Sequence, residues 1–330
     1  MRTWLVTGGA GYVGGHVVRA LRANGDRVVV LDDLSTGDRG RLRTPTSEVP
    51  LVVGSVRDRA LVRDTLAAHG ATGVVHLAGR KRADESLARP DWYREENVGG
   101  LRAVLGAMAD AGTDRLLYSS SAAVYGDPES LPVDEDASTR PCTPYGQTKL
   151  DGERLVEQEV RRRGLRAVAL RYFNVAGAAR PELADRQPVN LIARVLAALR
   201  AGERPVVHGV DHPTPDGTCV RDYVHAEDVA DAHVAATALL DGPAAWHVLN
   251  VGTGSGWSVR EVLDTVAEVT GIPVEPVLGP RRPGDPPAVV AAVDRIAAVA
   301  GWRARHPLRS MVASAWSAPT RATAGTTARR

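Results

Sequence analysis

A tyrosine and a lysine four residues apart, Tyr145 and Lys149, form the pair in this sequence best suited to proton transfer. Residues with this spacing lie on one face of a helix. An ammonium group beside a phenol stabilises the phenolate, so we expect Lys149 to lower the pKa of Tyr145 from about 10 towards neutral pH. Ser121 ends an apolar segment upstream, where its hydroxyl could bond the reacting oxygen. These three residues predict general acid–base chemistry.

A glycine-rich segment, Gly8-Gly-Ala-Gly11-Tyr12-Val13-Gly14, follows the first apolar run and opens an amphipathic one. Glycines at this spacing let the backbone turn tightly and approach a pyrophosphate, and the following helix N-terminus supplies amide donors. An acidic pair, Asp32-Asp33, ends the second apolar run. A carboxylate there bonds ribose hydroxyls and repels a 2′-phosphate, so NAD is the expected cofactor rather than NADP.

The lysine content singles out two positions. Lys81 and Lys149 are the only lysines in a chain that otherwise uses arginine for its positive charge. Lysine supplies a compact ammonium whose pKa responds to its surroundings, and arginine does not replace it in that role. Both lysines are therefore candidate functional residues.

The elements that must position these residues alternate along the first half of the chain. Short apolar runs are typical of strands buried on both faces, and the segments between them have helical spacing. Repeated β–α units of this kind predict an α/β fold with a Rossmann-type, doubly wound parallel sheet. The predicted strands are Trp4–Val6, Arg27–Leu31, Val49–Val53, Gly73–Leu77, Arg115–Tyr118 and Ala167–Leu170, and the predicted helices are Gly14–Asn24, Asp58–His69, Asn97–Ala111, Val189–Ala201, Asp228–Leu240 and Val259–Thr270.

Beyond residue 174 the alternation of predicted strands and helices becomes less regular. Pro and Gly cluster at 205–217 and 273–287. We expect residues 1–173 to form the NAD-binding domain, rejoined by about 218–240. A smaller substrate lobe is expected from 174–217 and 241–317. The Ala/Thr/Arg-rich end, 318–330, lacks periodicity and is expected to be a disordered tail.

Composition excludes several classes of function. The 41 basic and 39 acidic residues nearly balance, which offers no electrostatic attraction to nucleic acid or to an anionic membrane surface. No apolar stretch is long enough for a transmembrane helix. Two cysteines, Cys142 and Cys219, make neither a disulfide framework nor a metal site. These features predict a soluble, cytoplasmic protein without a bound metal.

The combined motifs resemble those of the UDP-galactose 4-epimerase family over roughly residues 2–316, within the extended short-chain dehydrogenase/reductases. The most specific segment is His212-Pro-Thr-Pro-Asp-Gly-Thr-Cys-Val-Arg-Asp-Tyr-Val-His225. Arg171-Tyr-Phe-Asn174 and Arg281-Arg-Pro-Gly-Asp285 also match family motifs. The resemblance implies a homodimer that epimerises C4 of a UDP-hexose, through a transient 4-keto sugar, with a permanently bound NAD.

The resemblance also implies a role for each matching residue. Tyr145 would be the catalytic base and acid, Lys149 would position NAD and tune Tyr145, and Ser121 would be the hydroxyl partner. The positions implied to bind NAD are Gly8, Gly11, Tyr12, Val13, Gly14, Asp32, Asp33, Ser55, Val56, Leu77, Ala78, Gly79, Lys81, Asn97, Ser119, Tyr145, Lys149 and Phe173. Those implied to bind the UDP-sugar are Ser121, Tyr145, Asn174, Asn190, Leu191, Arg221, Arg282, Asp285 and Val289.

Two positions and one segment depart from the family pattern. Ser55 stands where the family usually has an aspartate near the adenine, which would weaken adenine binding. Segment 177–190 is shorter than in well-known relatives, and Cys219 replaces a usual glycine. Val289 stands beside the expected C2 substituent of the sugar, where a tyrosine restricts other members to unsubstituted hexoses. We therefore expect UDP-N-acetylglucosamine to be accepted beside UDP-glucose and UDP-galactose.

Two alternatives stay open at this point. A nucleotide-sugar dehydratase, decarboxylase or uronic acid epimerase would share the fold. Dehydratases carry acidic residues just after the strand-end hydroxyl, whereas Ala122 and Ala123 follow Ser121 here. A non-catalytic NAD-binding protein would commonly lose the tyrosine or the lysine, and this chain retains both.

Overall fold

Strands and helices alternate through most of the chain. A computed structural model gives the structure of the protein and describes residues 1–44, 47–187, 189–242, 246–282 and 284–318. The strands of these residues are β1 (Thr3–Thr7), β2 (Arg27–Asp32), β3 (Arg43–Thr44), β4 (Ser47–Glu48), β5 (Leu51–Val53), β6 (Gly73–His76), β7 (Arg115–Ser121), β8 (Arg166–Tyr172), β9 (Asn174–Ala176), β10 (Val206–His208), β11 (Val220–His225), β12 (Trp246–Val251), β13 (Gly256–Ser258), β14 (Val277–Gly279) and β15 (Ala288–Val289).

The helices pack on both sides of the largest sheet and around a smaller second lobe. Several short 3₁₀ turns and a π-helical turn at Glu95–Gly99 link them. They are α1 (Tyr12–Ala23), α2 (Arg59–His69), α3 (Ala83–Ala88), α4 (Pro90–Arg94), α5 (Gly100–Asp110), α6 (Pro144–Arg163), α7 (Leu191–Arg200), α8 (Ala226–Thr237), α9 (Val259–Thr270), α10 (Asp294–Ala300) and α11 (Leu308–Ser317).

The largest sheet has seven parallel strands in the order β12-β8-β7-β6-β1-β2-β5. The chain reverses its direction of growth between β1 and β6, which opens a crevice at the carboxyl ends of these strands. Two separate clusters of buried apolar side chains, one containing Trp4 and Val6 and the other Leu5 and Val74, cover the sheet. The alternation of buried neighbours in β1 shows that they cover opposite faces. This confirms the predicted Rossmann-type fold.

The second lobe is built around β11, which pairs with β9, β13 and β15. Its core includes side chains from α7, α9 and α11. Helix α9 coincides with its predicted range because Ser258 and Glu261 form a capping box and Gly271 ends the helix in the left-handed conformation (φ 70°).

The predicted division of the chain needs one correction. β12 joins the large sheet beside β8, in register from Trp246–Ala167 to Val251–Tyr172, so the range 241–317 does not belong wholly to the lobe. Helix α8 packs on α1 at the large sheet, whereas β11 pairs only within the lobe sheet. The chain therefore returns to the first domain over α8, which lies within the predicted 218–240, and again over β12, which lies outside it. Strand pairing between distant segments sets this boundary. The tail expected at 318–330 lies outside the described residues except for Ala318.

None of the helices within the described ranges is long and apolar enough to cross a membrane.

Candidate functional site

A cleft of about 570 Å³ lies at the carboxyl ends of the central parallel strands. It runs from the glycine-rich loop after β1 to the loop before β15 in the second lobe. Most residues singled out from the sequence line it: Gly8, Gly11, Tyr12, Val13, Gly14, Asp32, Asp33, Ser55, Val56, Leu77, Ala78, Gly79, Lys81, Ser119, Ser121, Tyr145, Lys149, Phe173, Asn174, Asn190, Arg221, Asp285 and Val289. The fold thus gathers segments that are distant in the sequence into one site.

The glycine-rich loop is shaped for close approach by a ligand. Gly8 has φ of +70°, and a Cβ atom on Gly14 would lie 2.1 Å from the Gly8 carbonyl oxygen. Gly79, on the adjacent loop after β6, has φ of +158°. The loop leads directly into the N-terminus of α1, whose free amides favour phosphate. A Cβ atom on Gly8 would collide with the backbone of Ala78, and one on Gly14 with the backbone of Gly8, so these glycines let the loops after β1 and β6 pack closely at the start of α1. The free amides of that helix N-terminus then give a cradle that fits the pyrophosphate of NAD.

The two acidic residues at the end of β2, Asp32 and Asp33, differ in their surroundings. Asp32 is buried and accepts hydrogen bonds from the backbone amides of Ala10 (3.0 Å) and Leu34 (2.8 Å). Burial raises the pKa of Asp32 despite these bonds. Asp33 is exposed and is held by the amide and hydroxyl of Ser35. Both residues line the cleft.

Ser55 also lines the cleft, and its hydroxyl accepts a hydrogen bond from the Arg57 amide (3.2 Å). Cys219 is accommodated in the lobe core, with its sulfur 3.3 Å from Nε2 of His212.

Tyr145 lies in the first turn of α6. Thr143 caps this helix by accepting a hydrogen bond from the Gly146 amide (3.2 Å), and Pro144 fits its first position. The Tyr145 amide donates to Oγ of Ser86 at 3.1 Å. Ser86 belongs to α3, so this short helix after β6 fixes the start of the helix that carries Tyr145. No local pattern points to Ser86, because 59 residues separate it from Tyr145.

Lys149 is buried one turn further along α6. Its ammonium donates a hydrogen bond of 2.8 Å to the Ser119 carbonyl oxygen, and it lies 6.0 Å from the centre of the Tyr145 ring. Burial lowers the pKa of Lys149 to about 8, while the Glu153 carboxylate acts to raise it. Ser121 ends β7, and its hydroxyl accepts from the Ala123 amide (3.2 Å).

The expected lowering of the Tyr145 pKa is wrong for this structure. Burial raises the pKa of Tyr145, and only the Ser121 hydroxyl acts to lower it. The physical reason is the position of Lys149, whose ammonium is bound to Ser119 rather than to the phenol. In this structure Lys149 therefore does not offset the effect of burial on the pKa of Tyr145.

A buried polar network underlies these residues. Ser120 donates to Glu153 (2.5 Å), and Glu153 pairs with Arg171 through both carboxylate oxygens (2.9 and 2.7 Å). Arg171 also donates to the Tyr125 hydroxyl (2.9 Å), which bonds Asn250 of β12 (2.6 Å). From the sequence, Arg171 stands out only as part of a motif and Glu153 does not stand out at all, although Glu153 follows Lys149 by one helical turn.

The lobe side of the cleft carries Arg221 and Val289, which are paired neighbours on β11 and β15. The Arg221 guanidinium forms an ion pair with Asp285 and donates to the Val220 carbonyl oxygen (2.8 Å). Asn190 caps α7 by accepting from the Ala193 amide (2.9 Å) and donates to the Val175 carbonyl oxygen (3.1 Å). Arginine, amide and carboxylate groups suit a nucleoside diphosphate.

Three predicted residues do not line this cleft: Asn97, Leu191 and Arg282. Asn97 is buried behind it, where it accepts from the Arg80 amide (2.7 Å) and donates to the Thr148 hydroxyl (2.9 Å). Through these two hydrogen bonds Asn97 connects the loop after β6 to α6. Arg282 is exposed beside the cleft. Conversely, the cleft contains Arg41 and Asp185, which the sequence analysis missed.

Comparison with known proteins identifies the family of this chain. The model of the NAD dependent epimerase/dehydratase family matches residues 4–252. A UDP-glucose 4-epimerase from Azospirillum brasilense is 45% identical and covers 95% of this chain and 90% of its own length. A crystal structure of UDP-glucose-4-epimerase from Stenotrophomonas maltophila, with bound NAD and formylated UDP-arabinopyranose, has a TM-score of 0.92 and 38% identity, covering 96% of this chain and 97% of that one.

A UDP-Glc/GlcNAc 4-epimerase from Campylobacter jejuni is similar as well. Its TM-score is 0.84 at 30% identity, with 96% of this chain and 98% of that chain covered. The resemblance inferred from the motifs is thereby confirmed over nearly the whole length. The chain belongs to the NAD dependent epimerase/dehydratase family.

Proposed function

We propose that this protein epimerises C4 of UDP-hexoses with a bound NAD. The observation that carries the proposal is the convergence of Tyr145, Ser121 and Lys149 in a cleft that continues to Arg221 and Asp285. Proton-transfer groups thus lie between a dinucleotide cradle and groups suited to a nucleoside diphosphate. The similar proteins named UDP-glucose 4-epimerase support the same activity.

The residues divide the chemistry among them. When bound, NAD supplies the hydride acceptor and, in the second half-reaction, the hydride donor. Tyr145 takes the proton from the C4 hydroxyl as the carbon is oxidised and returns it when the 4-keto sugar is reduced on its other face. Ser121 orients the reacting oxygen, and Lys149 holds the carbonyl end of β7 in place through Ser119. To accept this proton Tyr145 must already be a phenolate, a form that burial opposes by raising its pKa. The positive charge of oxidised NAD would favour the phenolate once the cofactor is bound.

The residues after Ser121 favour epimerisation over elimination. Ala122 and Ala123 both line the cleft, and neither side chain can donate or accept a proton. A dehydratase would need an acid or base here to move protons at C5 and C6. The methyl groups instead leave space in which a keto-sugar could turn.

One incubation tests this function. Purified protein mixed with UDP-galactose, without added NAD, should form UDP-glucose and reach a fixed equilibrium ratio. Product identification by NMR or mass spectrometry distinguishes this from loss of water. Formation of a dehydrated keto-sugar, or a requirement for NAD in stoichiometric amounts, would contradict the proposal. UDP-N-acetylglucosamine is a proposed second substrate because Val289 is small.

Homodimerisation and a cytoplasmic location stay predictions of the same proposal. Light scattering on the purified chain should give the mass of two copies. A monomer that is fully active would show that dimerisation is not needed for the site.

A further inference from the structure

Segment 177–187 lies over the cofactor side of the cleft, and we call it the strap. Side chains of α1 and the β2–β3 connection fasten it. Tyr12 donates to the Gly177 carbonyl oxygen (2.5 Å), and Arg41 bridges the carbonyl oxygens of Ala10 (3.1 Å) and Ala184 (3.0 Å). Further contacts join His16 to Ala179, Arg19 to Glu182 and Asp38 to Arg186. The strap is thus tied to the elements that form the dinucleotide cradle.

One carboxylate of the strap has an unmet bonding capacity. Asp185 lines the cleft, and its side chain is only 9% exposed. Its Oδ1 accepts from the Gln187 amide (3.1 Å). Its Oδ2 is the one buried side-chain oxygen without a hydrogen-bond partner among the residues that the structure describes. Among the described residues, the Lys81 ammonium is the one basic group within 4.0 Å of this oxygen, and at 4.0 Å it lies beyond hydrogen-bond distance.

Without a ligand, the unpartnered oxygen of Asp185 destabilises the folded protein. A buried polar group without a partner costs about 1–3 kcal/mol, and more when it is charged. Groups of this kind are retained where a bound ligand completes their interactions. Lys81 is half-exposed and also lies 5.6 Å from the centre of the Tyr12 ring, so its ammonium is free to move the short distance to Asp185.

We propose that Asp185 is a positioning residue for the cofactor. Its free oxygen holds the Lys81 ammonium across the cleft, and the pair retains the bound dinucleotide. The proposal rests on the proposed function for the identity of that dinucleotide. It explains why a lysine persists at position 81 in an arginine-rich chain, since a compact ammonium fits the gap between the strap and Tyr12. It also assigns a role to the short strap, which carries the carboxylate to the cleft.

The test uses the full-length protein freed of nucleotide, with the variants Asp185→Asn, Lys81→Gln and the double variant. Two quantities are measured: the Kd for NAD, by titration, and the midpoint of thermal unfolding without nucleotide. Glu182→Gln is the matched control, because Glu182 is a strap carboxylate whose partner, Arg19, lies outside the cleft lining.

Each single variant should raise the Kd for NAD about tenfold, as expected for losing a hydrogen bond between charged groups. The double variant should be no weaker than the weaker single variant, because both act through one pair. Asp185→Asn should melt at the same temperature as wild type or higher, since it removes an unpaired buried charge. Glu182→Gln should leave the Kd unchanged.

Two results would overturn the inference. Asp185→Asn could lower the melting temperature and leave the Kd for NAD unchanged, which would make the residue structural. Alternatively, the effects of the two single variants could multiply in the double variant, which would show that Asp185 does not act through Lys81. Both results can be interpreted only if the wild-type protein binds NAD. A wild type without NAD affinity would instead overturn the proposed function, and this inference with it.

Discussion

Glu153 and Arg171 form a two-point ion pair, with each side chain only 6% exposed, directly behind Lys149. The pair joins α6, which carries Tyr145 and Lys149, to β8, which leads into the cleft residues Phe173 and Asn174. Its charges are fully hydrogen-bonded, since Ser120 donates to Glu153 and Arg171 also reaches Tyr125. This buried ion pair therefore holds α6 and β8 together beneath the site, and it requires both partners.

We expect Glu153→Gln to lower the free energy of unfolding by about 3–5 kcal/mol, because Arg171 would keep its charge in a buried position without a counter-ion. Urea unfolding at neutral pH measures the change. Glu159→Gln is the control in the same helix: its partners, Arg162 and Arg163, lie nearer the surface, so the cost should stay below about 1 kcal/mol. Equal costs for the two substitutions would contradict this interpretation.

We expect Tyr145→Phe to abolish most turnover, by at least about a hundredfold, while folding and NAD content stay unchanged. The substitution removes only the hydroxyl, and the hydrogen bond from the Tyr145 amide to Ser86 is retained. Steady-state assays with UDP-galactose, together with the NAD released on denaturation, give both quantities. A wild-type rate in this variant would exclude Tyr145 as the proton-transfer group.

We expect Lys149→Arg to be nearly as inactive as Lys149→Ala. The ammonium occupies a buried position 2.8 Å from the Ser119 carbonyl oxygen, and a planar guanidinium is too large for it. Activity and NAD content should be measured for both variants. Arg162→Lys, at an exposed position of α6, is the control for exchange between the two residue types. Near-normal activity in Lys149→Arg would mean that only the charge matters.

Lys149 should also make stability depend on pH. Its folded pKa of about 8 lies below the unfolded value of about 10.4, so the unfolded chain binds more protons between these limits. The free energy of unfolding of wild type, relative to Lys149→Met, should therefore rise by about 3 kcal/mol from pH 8 to pH 10.4. Urea unfolding of both proteins across this range measures the difference. A difference that does not change with pH would show that folding leaves the pKa of Lys149 unchanged.

We expect wild type to epimerise UDP-N-acetylglucosamine as well as UDP-glucose, and Val289→Tyr to lose at least about tenfold in kcat/KM for the acetylated sugar alone. Val289 is 7% exposed, lines the cleft and packs near Phe173 and Tyr125. A larger ring would occupy space that an acetamido group needs.

Kinetics on both sugars, with Val289→Leu as a control of intermediate size, measure the effect. The idea fails if wild type does not turn over the acetylated sugar, or if Val289→Tyr processes both sugars as wild type does.

The sequence by itself determined the features that depend on short-range spacing. The glycine loop before α1, the four-residue separation of Tyr145 and Lys149, and the six apolar strands of the large sheet are local patterns. Their physical basis lies in a few consecutive residues: turn geometry, one helical turn, or burial of both strand faces. These patterns also carried the family resemblance that the comparisons confirmed.

Only the tertiary structure decided which distant groups meet and how deeply they are buried. β12 belongs to the large sheet because it pairs with β8, about 80 residues earlier, and its own sequence does not specify that partner. Asp185 faces Lys81 across more than a hundred residues, and Ser86 holds the Tyr145 amide. Even the direction of the Tyr145 pKa shift depended on burial and on the orientation of Lys149, since desolvation and hydrogen bonding act through space rather than along the chain.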